Sequence, residues 1–511
     1  MTTIIVFNLR GNCRTSGETR RKEGGNVFGL GSRTPIAITI LVKSPGKTGQ
    51  ASIFYHDIGD YIPQTDKLKL IKELGSICNP AMELSSIMPN EDGDWINQRN
   101  GMFEDFVALA PETKFTVSSK SFFTTYSLGL NSNRDIWAYN FASKALAKNC
   151  QKMTETFNQQ VEQYKYEKSK KADISVEQVI TTNPSLIKWS SSLIPHVARG
   201  TKAFYSPDYI RIGLYRPFCR QHLYQDPLFI HRMGNWTQLF PTPQTRNLII
   251  CCAGAGGKSF SALITNLISD LHLLESGTQC FPLFYYEKQE ERQLGLFDKS
   301  EEGYIKRDGI TDFALLRARE MYGPKTTKED VFYYVYGLLH SPDYRNRFAS
   351  DLTKMLPRIP FVEEVPTFQK IMRIGRKLAE LHLNYENAPS WPDLLVKGNM
   401  NNLRVVKMRF GKAGKEEDRR TIWLNDSLRV ENIPLQAYEY VVNGKSALEW
   451  LMERYAVTTD KASGIVNDAN AWGLEHENPC YILNLLCSIV TVSMETLKQV
   501  IELPILDFDK A

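Results

Sequence analysis

The stretch NLIICCAGAGGKSFSAL, residues 247–263, has the layout of a phosphate-binding loop: an apolar run, a glycine-rich turn and a Lys-Ser pair. In such loops backbone N–H groups cradle the phosphates, the lysine reaches the outer phosphates and the hydroxyl holds magnesium. The spacing requires a glycine at position 252, which is Cys252. Gly254 and Gly256 do not replace it, because loop length sets how many N–H groups point inward. An acidic strand end for magnesium is offered downstream only by Glu287. The expected role is therefore a tight turn between a buried strand and a helix. Nucleotide binding through Lys258 and Ser259 is the alternative from another functional class, and a remnant that binds nothing is a third.

NPCY, residues 478–481, offers a second chemistry. An Asn-Pro-Pro-Tyr loop accepts the amino group of a flipped base and stacks an aromatic ring on it. Here position 480 is Cys480, and no apolar strand leads into the motif. VFGLGS, residues 27–32, has its glycines one place off a cofactor loop. No catalytic residue is assigned.

Basic clusters are the third candidate. Arg10, Asn12, Arg14, Arg20, Arg21, Lys22 and Arg33 surround one glycine-rich loop. Asn133, Arg134 and Trp137 form another group, and Arg211, Tyr215, Arg216 and Arg220 a third. Arginine and lysine neutralise phosphates, and a bidentate Arg–guanine or Asn–adenine pair discriminates by about 1–3 kcal/mol. The candidate DNA-binding set is Arg10, Asn12, Arg14, Arg21, Lys22, Arg33, Asn133, Arg134, Arg211, Tyr215, Arg216 and Lys258. Any single cluster also reads as a solvated face. His56, His196, His222, His231 and His272 lack metal-ligand spacing, so no metal site is expected.

The elements that must position these groups read as mixed α/β. The net charge of +5 over 511 residues is too weak to require nucleic acid, so its distribution matters more. The nine cysteines have no zinc spacing and suit a reducing cytoplasm. No run reaches the roughly 20 apolar residues of a membrane span, and no export leader is visible.

Residues 2–9 predict a strand buried on both faces. Such a strand needs partners on both edges, which predicts further sequence upstream. Residues 34–43 and 51–58 predict a β-hairpin. Leu146, Cys150, Met153, Phe157, Val161 and Tyr164 recur at spacings of three and four and predict a helix over 144–171. A long helix is expected from 328 to the PRIP segment at 357–360. Phe368, Ile371, Ile374, Leu378 and Leu381 mark another helix, while LRVVKMRF and TIWLN predict short strands.

Several stretches together resemble one family. VFNLRGNCRTSGETRRKEGGNVFGLGSRTPIAITILVK, FYHDIGDY, PNEDGDWINQRN and NRDIWAYNF are similar, in order, to Type ISP restriction–modification enzymes. So are LYRPFCRQHLY, CFPLFYYE, the helical signature at 329–360, GRKLAELHLNYE and the stretch at 440–468. The resemblance implies a single polypeptide carrying a nuclease, an ATPase motor, a coupler, an adenine-specific DNA methyltransferase and a C-terminal specificity domain. Such enzymes defend against phage DNA. They use S-adenosylmethionine, and ATP with magnesium.

This chain resembles only the end of that series, after the methyltransferase's cofactor and catalytic loops. The implied fold is the last three strands of a Rossmann-like methyltransferase sheet (1–60), a mostly helical bridge (61–180) and a mixed α/β target-recognition domain (181–511). The expected function is recognition of a site in double-stranded DNA, with neither cofactor nor catalysis in this chain. A separate N-terminal methyltransferase and motor half is a possible partner. The loop after the first strand is expected near the DNA, because ligands of open α/β sheets gather at the carboxyl ends of strands.

Overall fold

The computed structural model describes residues 1–15, 17–29, 31–111, 115, 120–256, 259–289, 300–301 and 303–508. It is a mixed α/β protein with several small sheets. Two compact units are present: Met1–Glu104 with Phe348–Lys354, and Asp105–Arg347 with Met355–Ala511.

In the first unit β1 (Thr3–Arg10) pairs antiparallel with β2 (Ile36–Val42) and parallel with β3 (Ser52–Asp57). The sheet order is β2–β1–β3–β4, with β4 at Ser85–Ile87. The hairpin expected over 34–58 is thus corrected, since β2 and β3 lie on opposite edges of β1. Insertion of β1 satisfies both of its rows of backbone polar groups, which a hairpin beside it would not. Phe7 and Leu9 are its fully buried residues, joined by Ile58 and Met82 in a small core. Helix α1 (Gly17–Glu23) lies in the loop after β1. Helix α2 (Gln64–Leu74) packs Leu70, Ile71 and Leu74 against this core. Edge strand β2 leaves Ile38, Leu41 and Val42 exposed.

The second unit begins its main helical layer with α3 (Ser143–Lys170), 28 residues long. All six residues of the expected stripe are buried along it. Burying a Leu- or Phe-sized side chain contributes about 1.5–3 kcal/mol, far more than helix propensity does. Strands β5 (Ile210–Arg216) and β6 (Cys219–Tyr224) form a hairpin. Strands β7 (Ile249–Cys252), β8 (Ala262–Thr265) and β9 (Gln279–Pro282) form another sheet, with β7 in the middle of the three.

The glycine-rich turn therefore joins two strands. Cys252 pairs with Ala262, and every residue of β7 and β8 is buried. The helix expected after the turn is corrected to a strand, because ALIT is buried on both faces within the sheet.

Helix α4 (Lys328–Leu338) starts at a capping box in which Thr327 Oγ1 accepts from Asp330 N–H at 3.1 Å. It does not run on to 356 as expected. The chain breaks at Ser341-Pro342 into short helices Pro342–Arg347 and Ala349–Lys354, since proline cannot donate to the preceding turn. Helix α5 (Val365–Leu383) crosses α4 with Gly375 against Gly337. A Cβ on Gly375 would lie 2.0 Å from the Tyr333 carbonyl oxygen, so only glycine permits this approach.

A four-stranded antiparallel sheet follows, built from β10 (Leu395–Gly398), β11 (Arg409–Ala413), β12 (Glu416–Trp423) and β13 (Leu428–Glu431), in the order β10–β13–β12–β11. Of LRVVKMRF only Arg409 and Phe410 are strand. Asn470 takes over the backbone of Val405, with both Val405 N–H and C=O bonded to its side chain at 2.8 Å. The hairpin of β14 (Val457–Thr459) and β15 (Val466–Asp468) precedes helix α6 (Tyr481–Ile501). By length and composition α6 could cross a membrane, contrary to expectation, yet most of its residues are packed in the core.

Candidate nucleic-acid interface

The loop after β1 is built by polar contacts that hold its backbone open. Lys67, fully buried on α2, donates to Leu9 O at 2.9 Å and Glu23 O at 2.7 Å. Asn26 donates to Gly11 O at 3.1 Å and Thr34 O at 2.7 Å, closing the neck of the loop. Asn12 is buried, and its carbonyl oxygen accepts Arg14 N–H at 3.0 Å. Asn12 thus shapes the turn instead of presenting an amide to a ligand. Arg10 pairs with Asp57 at 2.6 Å and also with Asp60, and these carboxylates raise its pKa against the opposing effect of burial. Arg21 pairs with Glu18 at 2.6 Å, and Lys22 reaches Asp60 at 3.9 Å. Arg14 and Arg33 are exposed and form no ion pair among the described residues. The Cys13 N–H to Arg33 O bond, at 2.9 Å, brings their backbones together. From this loop the two guanidiniums most open to a phosphate are therefore Arg14 and Arg33.

In the second unit the structure gathers Asp135, Tyr215, Arg216 and Asp270. Arg216 donates to Asp270 at 2.6 Å and to Asp135 at 3.4 Å, and its guanidinium lies 3.9 Å from the Tyr215 ring centre. Tyr215 O–H donates to Asp135 at 3.3 Å. Burial pushes the Asp270 carboxyl upward, and Arg216 opposes it. The side chain of Asp270 is 1% exposed and that of Arg216 is 12% exposed, so this pair is largely internal. Arg211 donates to Thr242 O at 2.6 Å, and burial lowers its pKa.

Arg134 is a correction. It is fully buried, donating to Ser190 Oγ at 2.6 Å and to Phe229 O. Burial without a carboxylate pulls its pKa down to about 10. It is a structural cation with no face to offer DNA. Its neighbour Asn133, at φ 52°, is exposed at the tip of the same turn. Lys258 lies outside the described residues. In the NPCY segment, Tyr481 is buried and donates to Glu386 at 2.8 Å, so its ring is occupied in the core. No group of three potential metal ligands occurs among the described residues.

One row was missed in the sequence. Lys397, Arg429, Trp423 and Arg409 stand opposite one another across β10, β13, β12 and β11. Directly opposed residues share a face, so three cations and a tryptophan line one surface. The Arg429 and Arg409 guanidiniums lie 4.7 and 5.6 Å from the Trp423 ring centre. Glu431 and Asp426 pair with these cations. The signal was the alternation in LRVE and RRTIW, but strand order is needed before the row can be seen.

Sequence comparison gives the family. Residues 121–485 match the Type ISP C-terminal specificity domain, and the chain belongs to that family. It is similar to a nuclease-deletion mutant of the Type ISP restriction–modification enzyme LlaGI, solved with a DNA substrate mimic: 38% identity, TM-score 0.85, covering 99% of this chain and 44% of that one. It is also similar to the ATP-dependent Type ISP enzyme LlaBIII bound to DNA, at 35% identity and TM-score 0.83, covering 99% of this chain and 31% of that one. The DrdV–DNA complex matches at 26% identity and TM-score 0.81, covering 99% of this chain and 48% of that one. The chain thus spans less than half the length of each. No curated protein matches it.

Proposed function

We propose that this chain recognises a site in duplex DNA as the specificity part of a Type ISP restriction–modification enzyme. The observation that carries the reading is the correspondence over 99% of the chain with LlaGI, which was solved on a DNA substrate mimic. The first unit is read as the end of a Rossmann-like adenine methyltransferase domain, with β1–β3 as its last strands. S-adenosylmethionine, and ATP with magnesium, would be held by other parts of such an enzyme, which would work in the cytoplasm against phage DNA. This chain's role is binding: exposed Arg14, Arg33 and Asn133 meet the duplex, while the Asp135–Arg216–Asp270 network holds the second of these loops in shape.

Nucleotide binding at residues 252–259 is not favoured, because the turn leads into a strand and offers no helix N-terminus to phosphates. Titrating the chain with duplex DNA at several salt concentrations tests the reading. Each phosphate neutralised contributes about −0.9 to the slope of log K against log salt. A slope near zero refutes DNA binding. Arg14→Glu should weaken binding, and unchanged affinity would remove that loop from the interface.

A further inference from the structure

Helix α3 has two differently treated ends. Near its C-terminus Lys165 and Lys170 pair with Glu162 and Glu167. Near its start Lys144, Lys148 and Lys152 recur every fourth residue, all exposed, and none forms an ion pair among the described residues. This arrangement is unfavourable for the helix itself. Like charges four apart repel, and cations near a helix start oppose its dipole. At the start, Glu475 is engaged by Ser143 N–H at 3.0 Å and His222 at 3.2 Å.

The same face borders a cleft of about 570 Å³. Lys148, Asn149 and Lys152 form one wall, and Ser463 and Gly464, in the turn between β14 and β15, form the other. The walls are tied together. Asn140 donates to Val466 O at 3.0 Å, and Asn467 accepts Phe141 N–H at 2.9 Å. Exposed Lys188 and Lys461 stand on the flanking segments. Besides Glu475, two acids oppose them. Glu155 lines the cleft, and Asp460 accepts Ser463 N–H and O–H at 2.8 and 2.7 Å.

We propose that this cleft seats a sugar–phosphate backbone of duplex DNA, a contact separate from the loops that carry Arg14 and Asn133. Lys148 and Lys152 line the cleft against Glu155. With the bordering Lys144, Lys188 and Lys461 set against Asp460 and Glu475, the five lysines still outnumber three acids, which selects an anion. At 1.5 Å per residue, Lys144 to Lys152 spans about 12 Å of helix, which suits a run of phosphates better than one nucleotide. A lysine row carries no base code, so the contact is a sequence-independent grip. The proposal rests on the DNA reading above and deepens it.

The test uses the whole 511-residue chain and two duplexes of unrelated sequence. Lys148→Gln with Lys152→Gln should make the salt slope shallower by about two, equally for both duplexes. Lys168→Gln with Lys171→Gln, at the far end of the same helix, should leave it unchanged. A salt-dependent wild type with an unaltered slope in the Lys148/Lys152 variant overturns the cleft and leaves the DNA reading standing. A wild-type slope near zero overturns both. Ser463→Glu supplies a second readout by adding a negative charge to the other wall. It should weaken binding to both duplexes, and undiminished binding counts against the cleft.

Discussion

Arg134 and Arg216 direct their charge inward, whereas Lys144, Lys148 and Lys152, on the helix that follows Arg134, hold theirs outward. The first pair is matched by internal acceptors: Ser190 and Phe229 O for one, Asp135 and Asp270 for the other. The lysines have no internal acceptor to answer them. A cation with protein partners serves the fold, and a row without them is available to something outside it. Local sequence does not separate the two, because Asn-Arg-Asp and Ser-Lys-Ala look equally polar.

The comparison is broken most severely by removing Arg216. Arg216→Ala leaves Asp270 buried without its cation and should cost about 3–5 kcal/mol near neutral pH in urea unfolding. Burial already raises the Asp270 pKa in the folded state. Losing Arg216 raises it further, so stability returns as pH falls and is lost as pH rises through that value. The deficit should therefore be smaller at pH 5.5 than at pH 8. An equal deficit at both would exclude the ion pair as its cause.

A buried histidine gives the opposite slope. His382 sits between Tyr336, Thr496 and Tyr440 at 2.6–3.0 Å, and burial holds its pKa down at about 3, below the ordinary 6.5. Its stabilising contribution is complete above pH 6.5 and drains away as pH falls toward 3. About 2 kcal/mol should be lost by pH 5 from this group, and His382→Gln should flatten that part of the profile.

Arg134→Met should cost about 1–3 kcal/mol by stranding the Phe229 carbonyl, while the Ser190 hydroxyl keeps Ser192 as a partner at 3.0 Å. The salt slope of DNA binding should not change. A shallower slope in a folded Arg134→Met protein would return that residue to the interface. Smallest in stability is Lys148→Gln, expected within about 0.5 kcal/mol of wild type in thermal melts. A larger loss would mean that the lysine serves the fold after all.

Helix α3 was legible because its period is local: six apolar residues, one face, one answer. The order of β1, β2 and β3 was not. Two apolar runs near each other suggest a hairpin, and only the demand of β1 for two partners separates them. The turn at 253–261 misled through its glycines, which permit a tight reversal whether a helix or a strand follows. The family was readable from long stretches of resemblance. Which arginines face outward was not, because Arg134 is buried by Ser190 and Phe229, which lie 56 and 95 residues away in sequence.

The crossing of α4 and α5 has one more consequence. Because Gly337 and Gly375 bring the two backbones together, the helices behave as one welded strut whose angle is set at the joint. The connecting peptide is pinned to the same joint, since Tyr334 of α4 donates to Pro360 O at 2.6 Å and accepts Val362 N–H at 3.3 Å. A single added methyl at Gly375 would pry it open.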